Sequence, residues 1–227
     1  MTQDDVRLQA AAPVQAEWLS DYSWRCLIKR SVDLAGALVG LILLTPVMLA
    51  IALLIRLDSP GPVLFRQLRR GHRGRLFRML KFRTMTVDAE QRLDSLEKSN
   101  ESAGGVLFKL RDDPRVTRLG WFLRRHSLDE LPQLLNVLWG EMSLVGPRPL
   151  QLRDSDRLLA INPEAYMRRL QVLPGLTGLW QVSGRSEVDY ERMVKLDLKY
   201  VRHWSLSWDL WIICKTFLVV LLRRGAY

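Results

Sequence analysis

Between Leu34 and Ile55 run 22 residues without a charge, eight of them leucine. As a helix rising ~1.5 Å per residue, the stretch is ~33 Å long, enough to cross a bilayer core of ~30 Å. Its leucine, isoleucine and valine residues favour insertion by roughly 4 to 8 kcal/mol before the glycines and proline are counted. A soluble core helix of this length would need a polar face, which the stretch lacks. A cleaved signal peptide is a poor match, because 33 residues including Asp4, Asp5, Asp21 and Asp33 come first. The apolar run also exceeds the usual ~7–15 residues. The segment is expected to stay in the protein.

Its flanks bear on how it meets a membrane. Lys29 and Arg30 precede it, and Arg56, Arg66, Arg69, Arg70, Arg73 and Arg75 follow. Basic residues on both sides conflict with the charge asymmetry of a simple spanning helix. Thr45-Pro46 sits at the middle, where proline removes a helical hydrogen bond. A helix that enters, bends there and returns to the same face reconciles both facts. A kinked spanning helix with basic flanks is the alternative, since membrane helices tolerate proline. The chain as a whole carries 34 basic and 24 acidic residues, a formal charge of +10. Such a balance calls for an anionic partner: nucleic acid, a lipid surface or a phosphorylated substrate. Cys26 and Cys214 are the only cysteines and His72, His126 and His203 lie far apart, which excludes a disulfide scaffold and a Cys- or His-rich zinc site.

After the apolar stretch, Asp58-Ser59-Pro60-Gly61-Pro62 punctuates the chain. Val63–Gln67 and Leu76–Arg83 read as two strands of a β-hairpin around Gly71–Gly74. Residues 56–85 hold nine Lys or Arg and one acid, a solvated basic face, a headgroup contact or an anion site. Residues 88–100 read as an exposed helix. Thr117 is a candidate N-cap for a helix ending near Arg124-Arg125. Leu131, Leu134, Leu135, Leu138 and Trp139 follow helical spacing that Gly140 can close. Trp204, Trp208 and Trp211 fall at i, i+4 and i+7, either an interfacial face or a core stripe.

Chemistry concentrates in Arg124–Gln133. With Asp129 as N-cap, Pro132 sits where a missing N–H is harmless. Asp129 and Glu130 then lie at the positive end of a helix, whose free amides also suit a phosphate. Ser127 and Glu130 match capping-box spacing, so a purely structural cap explains the same residues. Downstream, Gly146-Pro147-Arg148-Pro149 presents one arginine on a rigid segment. Pro174–Arg185 places three glycines among Thr, Gln, Ser and Arg.

Taken in order, these segments resemble the monotopic phosphoglycosyl transferases, also called bacterial sugar transferases, over residues 25–227. The resemblance is carried by Lys29-Arg30 with Asp33, Asp58–Val63, Lys81-Phe82-Arg83-Thr84-Met85, Asp113–Thr117, Arg124–Gln133, Gly146–Pro149, Pro174–Arg185 and Arg223–Tyr227. It implies an α+β, mainly α, monotopic membrane protein of the exopolysaccharide hexose-1-phosphate branch, with a re-entrant helix, a small β-hairpin and interfacial amphipathic helices. The implied division is a leader over 1–24, the re-entrant helix over 25–57, a cytoplasmic catalytic domain over 58–200 and an interfacial C-terminal helix over 201–227. The helix break, a Ser-Pro pair in the family, is Thr45-Pro46 here. Asp33 and Arg56 are implied to tie that helix to the globular part.

The implied reaction moves a sugar-1-phosphate from a UDP-sugar to undecaprenyl phosphate. Asp129 attacks the β-phosphate and releases UMP, and the lipid phosphate then takes the sugar-phosphate from the enzyme. Mg²⁺ is implied as cofactor, on Asp129 and Glu130. Arg124 is implied to hold the transferring phosphoryl group, with Lys81 and Arg148 as further phosphate contacts and Thr177, Gln181 and Arg185 on the nucleotide side. The expected location is the cytoplasmic face of a bacterial inner membrane, in contact with lipid, without nucleic acid, and with a homodimer left open. A non-enzymatic basic membrane adaptor is the rival reading.

Overall fold

A computed structural model describes residues 23–96, 101, 110, 112–184 and 188–221. Two compact units divide the chain, 1–32 and 33–227. Of the first only 23–32 are described, all helical.

Helix α1 runs from Ser23 to Asp58 and holds Pro46 within it. It is long and apolar enough to cross a membrane, and Leu38, Ile42, Leu43, Leu49, Leu53 and Leu57 are exposed along it. Helical structure continues through Thr45-Pro46. Proline lacks the N–H that would bond back, and the Thr45 hydroxyl donates to the Leu41 carbonyl at 2.6 Å.

At the end of α1, Arg83 gathers the turn that the Asp58–Pro62 punctuation predicts. Its guanidinium donates to the carbonyls of Pro60 at 2.9 Å, Ser59 at 2.6 Å and Ile55 at 3.4 Å. One side chain thus satisfies a helix-end carbonyl and seats the hairpin against α1. The hairpin pairs β1, Leu64–Arg70, with β2, Leu76–Phe82, in antiparallel register. Period-2 alternation puts Phe65, Gln67, Arg69, Phe77, Met79 and Lys81 on one face. Phe77 and Met79 there enter a cluster with Ala37, Leu134, Val137 and Met142.

The predicted helix over 88–100 reduces to α2, Leu93–Leu96, preceded by turns, with 97–100 outside the described residues. Helix α3, Arg118–Arg125, begins as expected, the Thr117 hydroxyl accepting from the Gly120 amide at 2.9 Å. A Cβ on Gly120 would lie 2.0 Å from the Thr84 carbonyl oxygen, so only glycine lets α3 touch that backbone. Helix α4 spans Gln133–Trp139 and closes on Gly140 at φ 84°, a left-handed cap that suits glycine. Leu134 and Val137 are buried, whereas Trp139, assigned by spacing to the apolar stripe, is 61% exposed.

Strand β3, Ser143–Val145, pairs in parallel with β4, Gly175–Thr177, and helices α5, Leu152–Ile161, and α6, Pro163–Arg169, lie between them in sequence. Asp33 ties α1 to β3, its carboxylate accepting from the Ser143 hydroxyl at 3.1 Å and the Leu144 amide at 3.0 Å. At the other end Arg56 makes only a local contact, donating to the Gly61 carbonyl at 3.0 Å in the turn that follows α1. Helices α7, Tyr190–Arg202, and α8, Leu206–Leu221, complete the described chain. The three tryptophans divide. Trp204 and Trp208 pack beside Val145, Tyr200 and Ile212, while Trp211 is 47% exposed beneath the Lys215 ammonium. Among the described residues the architecture is α+β and mostly helical, with two small sheets.

Candidate active site

Burial mounts the acidic pair. Helix α3 ends at His126 and Ser127 turns the chain at φ 55°, after which Leu128–Glu130 form a 3₁₀ turn. Asp129 is therefore not the N-cap of α4, which starts at Gln133 behind Pro132. Ser127 makes no side-chain cap bond. The capping box fails because Glu130 is drawn to cations distant in sequence. Leu128 and Leu131 pack with Ile51, Ile55, Phe82 and Leu123, so the 3₁₀ turn is anchored on α1 and α3.

Two cations meet the pair. Lys81 Nζ donates to Glu130 Oε1 at 2.8 Å and lies 3.7 Å from Asp129 Oδ2. Arg148 donates through both terminal nitrogens to Glu130, one bond at 3.1 Å to Oε2 and the other to Oε1. Arg124 reaches in from α3, anchored by Nε on the Thr84 hydroxyl at 2.9 Å. Three cations against two carboxylates, 3 − 2 = +1, leave positive charge for an anionic ligand.

The neighbouring carboxylates are held differently. Burial raises the Glu130 carboxyl, but Arg148 and Lys81 outweigh it and hold it well below the usual carboxylate range. Asp129 moves the other way. Burial pushes its carboxyl up and Glu130 adds to this, against the pull of Lys81, Arg124 and Arg148. Asp129 is only 6% exposed. Its carboxylate accepts no hydrogen bond among the described residues, and the 3.7 Å approach of Lys81 is its ion pair. Glu130 is thus a fixed counter-ion, and Asp129 a buried carboxylate left open among the described residues. A buried, poorly solvated carboxylate next to fixed cations can attack a phosphorus without a general base.

A Mg²⁺ ion fits this donor set in one way. Among the described residues no cluster of three or more His, Cys, Asp or Glu exists to cage a metal. Mg²⁺ commonly takes one or two carboxylates and completes its shell with water and phosphate oxygens. Asp129 offers such a carboxylate, while Glu130 already accepts from both cations.

The Pro174–Arg185 segment is used otherwise. Thr177 shares a 2.8 Å hydrogen bond with Thr216 of α8, and Gln181 donates to the Leu176 carbonyl at 3.2 Å. Neither contacts the acidic pair, and Arg185 lies outside the described residues. The opposite face of the hairpin opens on a groove of about 500 Å³, lined by Leu64, Arg66, Leu68, Leu76 and Trp139 and by none of the charged cluster. The motif reading passed over Arg69. It is 8% exposed, and burial and then Arg148 push its guanidinium down to about 9, against Asp154 and Glu130. Strand alternation contained that signal, because Arg69 shares a hairpin face with Lys81.

Comparison with known proteins agrees with the geometry. The family model for bacterial sugar transferases matches residues 24–223. The exopolysaccharide production protein ExoY of Sinorhizobium fredii is 46% identical over 202 residues, 88% of each chain. Galactosyl transferase CpsE of Streptococcus agalactiae is 46% identical over 207 residues, 90% of this chain and 45% of the relative. The UDP-glucose:undecaprenyl-phosphate glucose-1-phosphate transferase of Escherichia coli is 41% identical over 206 residues, 88% of this chain and 42% of the relative. The chain thus spans less than half the length of the latter two and most of the length of ExoY. With Lys81, Glu130 and Arg148 meeting in one charged cluster beside Asp129 and the family model covering nearly all of the sequence, the chain belongs to the bacterial sugar transferase family.

Proposed function

We propose that this protein is a phosphoglycosyl transferase that moves a hexose-1-phosphate from a UDP-sugar to undecaprenyl phosphate and so begins an exopolysaccharide or other surface glycan. The observation that carries the reading is the asymmetry of the acidic pair. Glu130 is bound by Lys81 and Arg148, while Asp129, one residue away, accepts no hydrogen bond among the described residues.

The reaction balances in two displacements. An Asp129 carboxylate oxygen forms a bond to the β-phosphorus of the donor, and the bridging P–O bond breaks. Its electron pair leaves with UMP. An oxygen of the lipid phosphate then attacks the same phosphorus, and the bond to Asp129 breaks to restore the carboxylate. Both nucleophiles are already anionic, so no proton has to be removed from either. Lys81, Arg124 and Arg148 stabilise the charge on the transferring oxygens by the positive charge they hold beside Asp129. Asp129 is the residue that would hold Mg²⁺, which when bound would supply charge neutralisation for the donor's diphosphate.

A soluble donor and a lipid acceptor meet at headgroup level. A re-entrant α1 on the cytoplasmic face of the inner membrane would hold the site there. Leu128 and Leu131 support this, since they seat the acidic pair directly on the apolar helix. The names of relatives include galactose and glucose transfer, so UDP-galactose and UDP-glucose are the first donors to test.

Purified protein is mixed with Mg²⁺, polyprenyl phosphate and a panel of UDP-sugars while UMP is followed. One sugar should release UMP at a rate that Asp129→Asn reduces by at least about 10³-fold. Silence from every sugar, or undiminished release from the variant, overturns the proposal.

A further inference from the structure

Arg148 sits in Gly146-Pro147-Arg148-Pro149, where two prolines fix φ and lack amide donors. Such a segment can be held mainly by its carbonyls. Three in a row are held, each by a different element. The Pro147 carbonyl accepts from the Gly175 amide at 2.9 Å. The Arg148 carbonyl accepts from Arg169 Nη2 at 2.8 Å, and the Pro149 carbonyl from Arg69 Nη1 at 3.1 Å.

The last two grips are unusual in their chemistry. Arg69 and Arg169 are each 8% exposed, and burying a guanidinium to hold a neutral carbonyl is costly. Each is braced in turn. Asp197, 1% exposed, accepts from Arg169 Nε at 2.9 Å. Arg69 donates to the Gln67 side chain, and its backbone bridges to Gln151. Its Nε is buried without a hydrogen-bond partner among the described residues. Arg69 also stands close enough to Arg148 to be destabilised by it. Stability alone does not favour two buried cations behind a third. A site that needs Arg148 in one orientation does.

We propose that Arg69 and Arg169 are positioning residues that grip the consecutive carbonyls of Pro149 and Arg148 and fix the Arg148 guanidinium on Glu130, beside the attacking Asp129. Neither touches substrate, and both act through Arg148. The inference rests on the reaction proposed above.

The test is the pre-steady-state burst of UMP from enzyme, Mg²⁺ and UDP-sugar without acceptor. Burst amplitude counts competent molecules, and burst rate reads the chemistry. Arg69→Met should keep the amplitude and lower the rate about 30-fold or more, as expected when a charge-stabilising group is misplaced. The donor concentration at half-saturation should move less than about threefold, because ground-state binding is largely kept. Arg69→Lys should fall between, retaining a charge without the fork. In an Arg148→Ala background, Arg69→Met should cost less than about twofold more, because residues acting through one another are not additive. A merely structural arginine would lower amplitude, or cost the same factor in both backgrounds, and either result overturns the proposal. If Arg69→Met fails to fold, Arg69→Lys is judged by the same criteria. A wild-type burst with variants at the wild-type rate refutes the positioning role alone, whereas no wild-type burst with any sugar refutes the reaction.

Discussion

Replacing Glu130 with glutamine takes away the anion that two enclosed cations share. Three charge-assisted hydrogen bonds converge on this carboxylate, one from Lys81 and two from Arg148. Breaking a buried pair by removing one partner costs ~3–5 kcal/mol. The side chains of Lys81, Glu130 and Arg148 are 19%, 17% and 23% exposed, so water recovers part of that. About 2–4 kcal/mol is the expected loss. For a chain of this size that lowers Tm by about 5–15 °C. Asp129→Asn should do the opposite. It removes a buried carboxylate whose charged form is disfavoured, first by burial and then by Glu130. A gain of about 1 kcal/mol is expected, as for other buried groups whose charged form opposes stability.

The pH dependence separates the two carboxylates. Glu130 is depressed in the folded state. Its contribution is therefore complete above the unfolded pKa of ~4.3 and fades as pH falls below it. Asp129 is raised, so the unfolded chain ionises first and the folded state is penalised as pH climbs past ~3.9. Thermal unfolding in detergent from pH 3.5 to 8 measures both. The gap between wild type and Glu130→Gln should be widest at neutral pH and narrow in acid. The Asp129→Asn gain should vanish in acid. Equal stability of wild type and Glu130→Gln at pH 7, or shifts of the same sign in both variants, refutes this account of the pair.

Three other perturbations probe the supporting structure. Gly120→Ala places a Cβ 2.0 Å from the Thr84 carbonyl oxygen. It should displace α3 with Arg124, cost more than about 3 kcal/mol and abolish UMP release, and an unchanged melting curve would contradict the close approach. Tyr200→Phe removes the hydroxyl that contacts Asp209 at 2.8 Å and the Val145 carbonyl at 3.0 Å. About 1–3 kcal/mol should be lost by thermal unfolding, and no loss would show those contacts to be idle. With Cys26 and Cys214 replaced by serine, single cysteines at positions 29 and 60 should label from one side of the membrane if α1 is re-entrant. Labelling from opposite sides would establish a spanning helix.

Local signals made much of this legible. The uncharged stretch, the Asp58–Pro62 turn, the hairpin, the Thr117 cap and the Gly140 stop each depend on residues within one or two turns, so spacing alone exposes them. The acidic pair was recognisable as a motif, but its internal asymmetry was not. Lys81 lies 49 residues before Glu130, and Arg148 lies 18 after it. Those partners override the local capping box that Ser127 and Glu130 spell. Strands β3 and β4, three residues each, are too short to show a period. The hydroxyl of Thr177 suited a nucleotide on composition, yet Thr216, 39 residues on, takes it. What escaped the sequence was consistently a contact made at long range.

The hairpin carries one consequence for synthesis. Its β2 edge is finished by the amide of Asn136, which accepts from the Leu80 amide at 3.0 Å and donates to the Arg78 carbonyl at 2.9 Å. Leu80 and Asn136 are 56 residues apart. At the ~5–20 residues per second of translation, the strand waits about 3–11 s for its cover. On the β1 side, the bridge from Arg69 to Gln151 forms later still. An open strand edge invites pairing with another chain, and positive charge is a common deterrent. Arg66, Arg70, Arg75 and Arg78 lie along these strands and their turn. Part of the chain's positive charge thus lies where it can keep an unfinished hairpin apart from its neighbours.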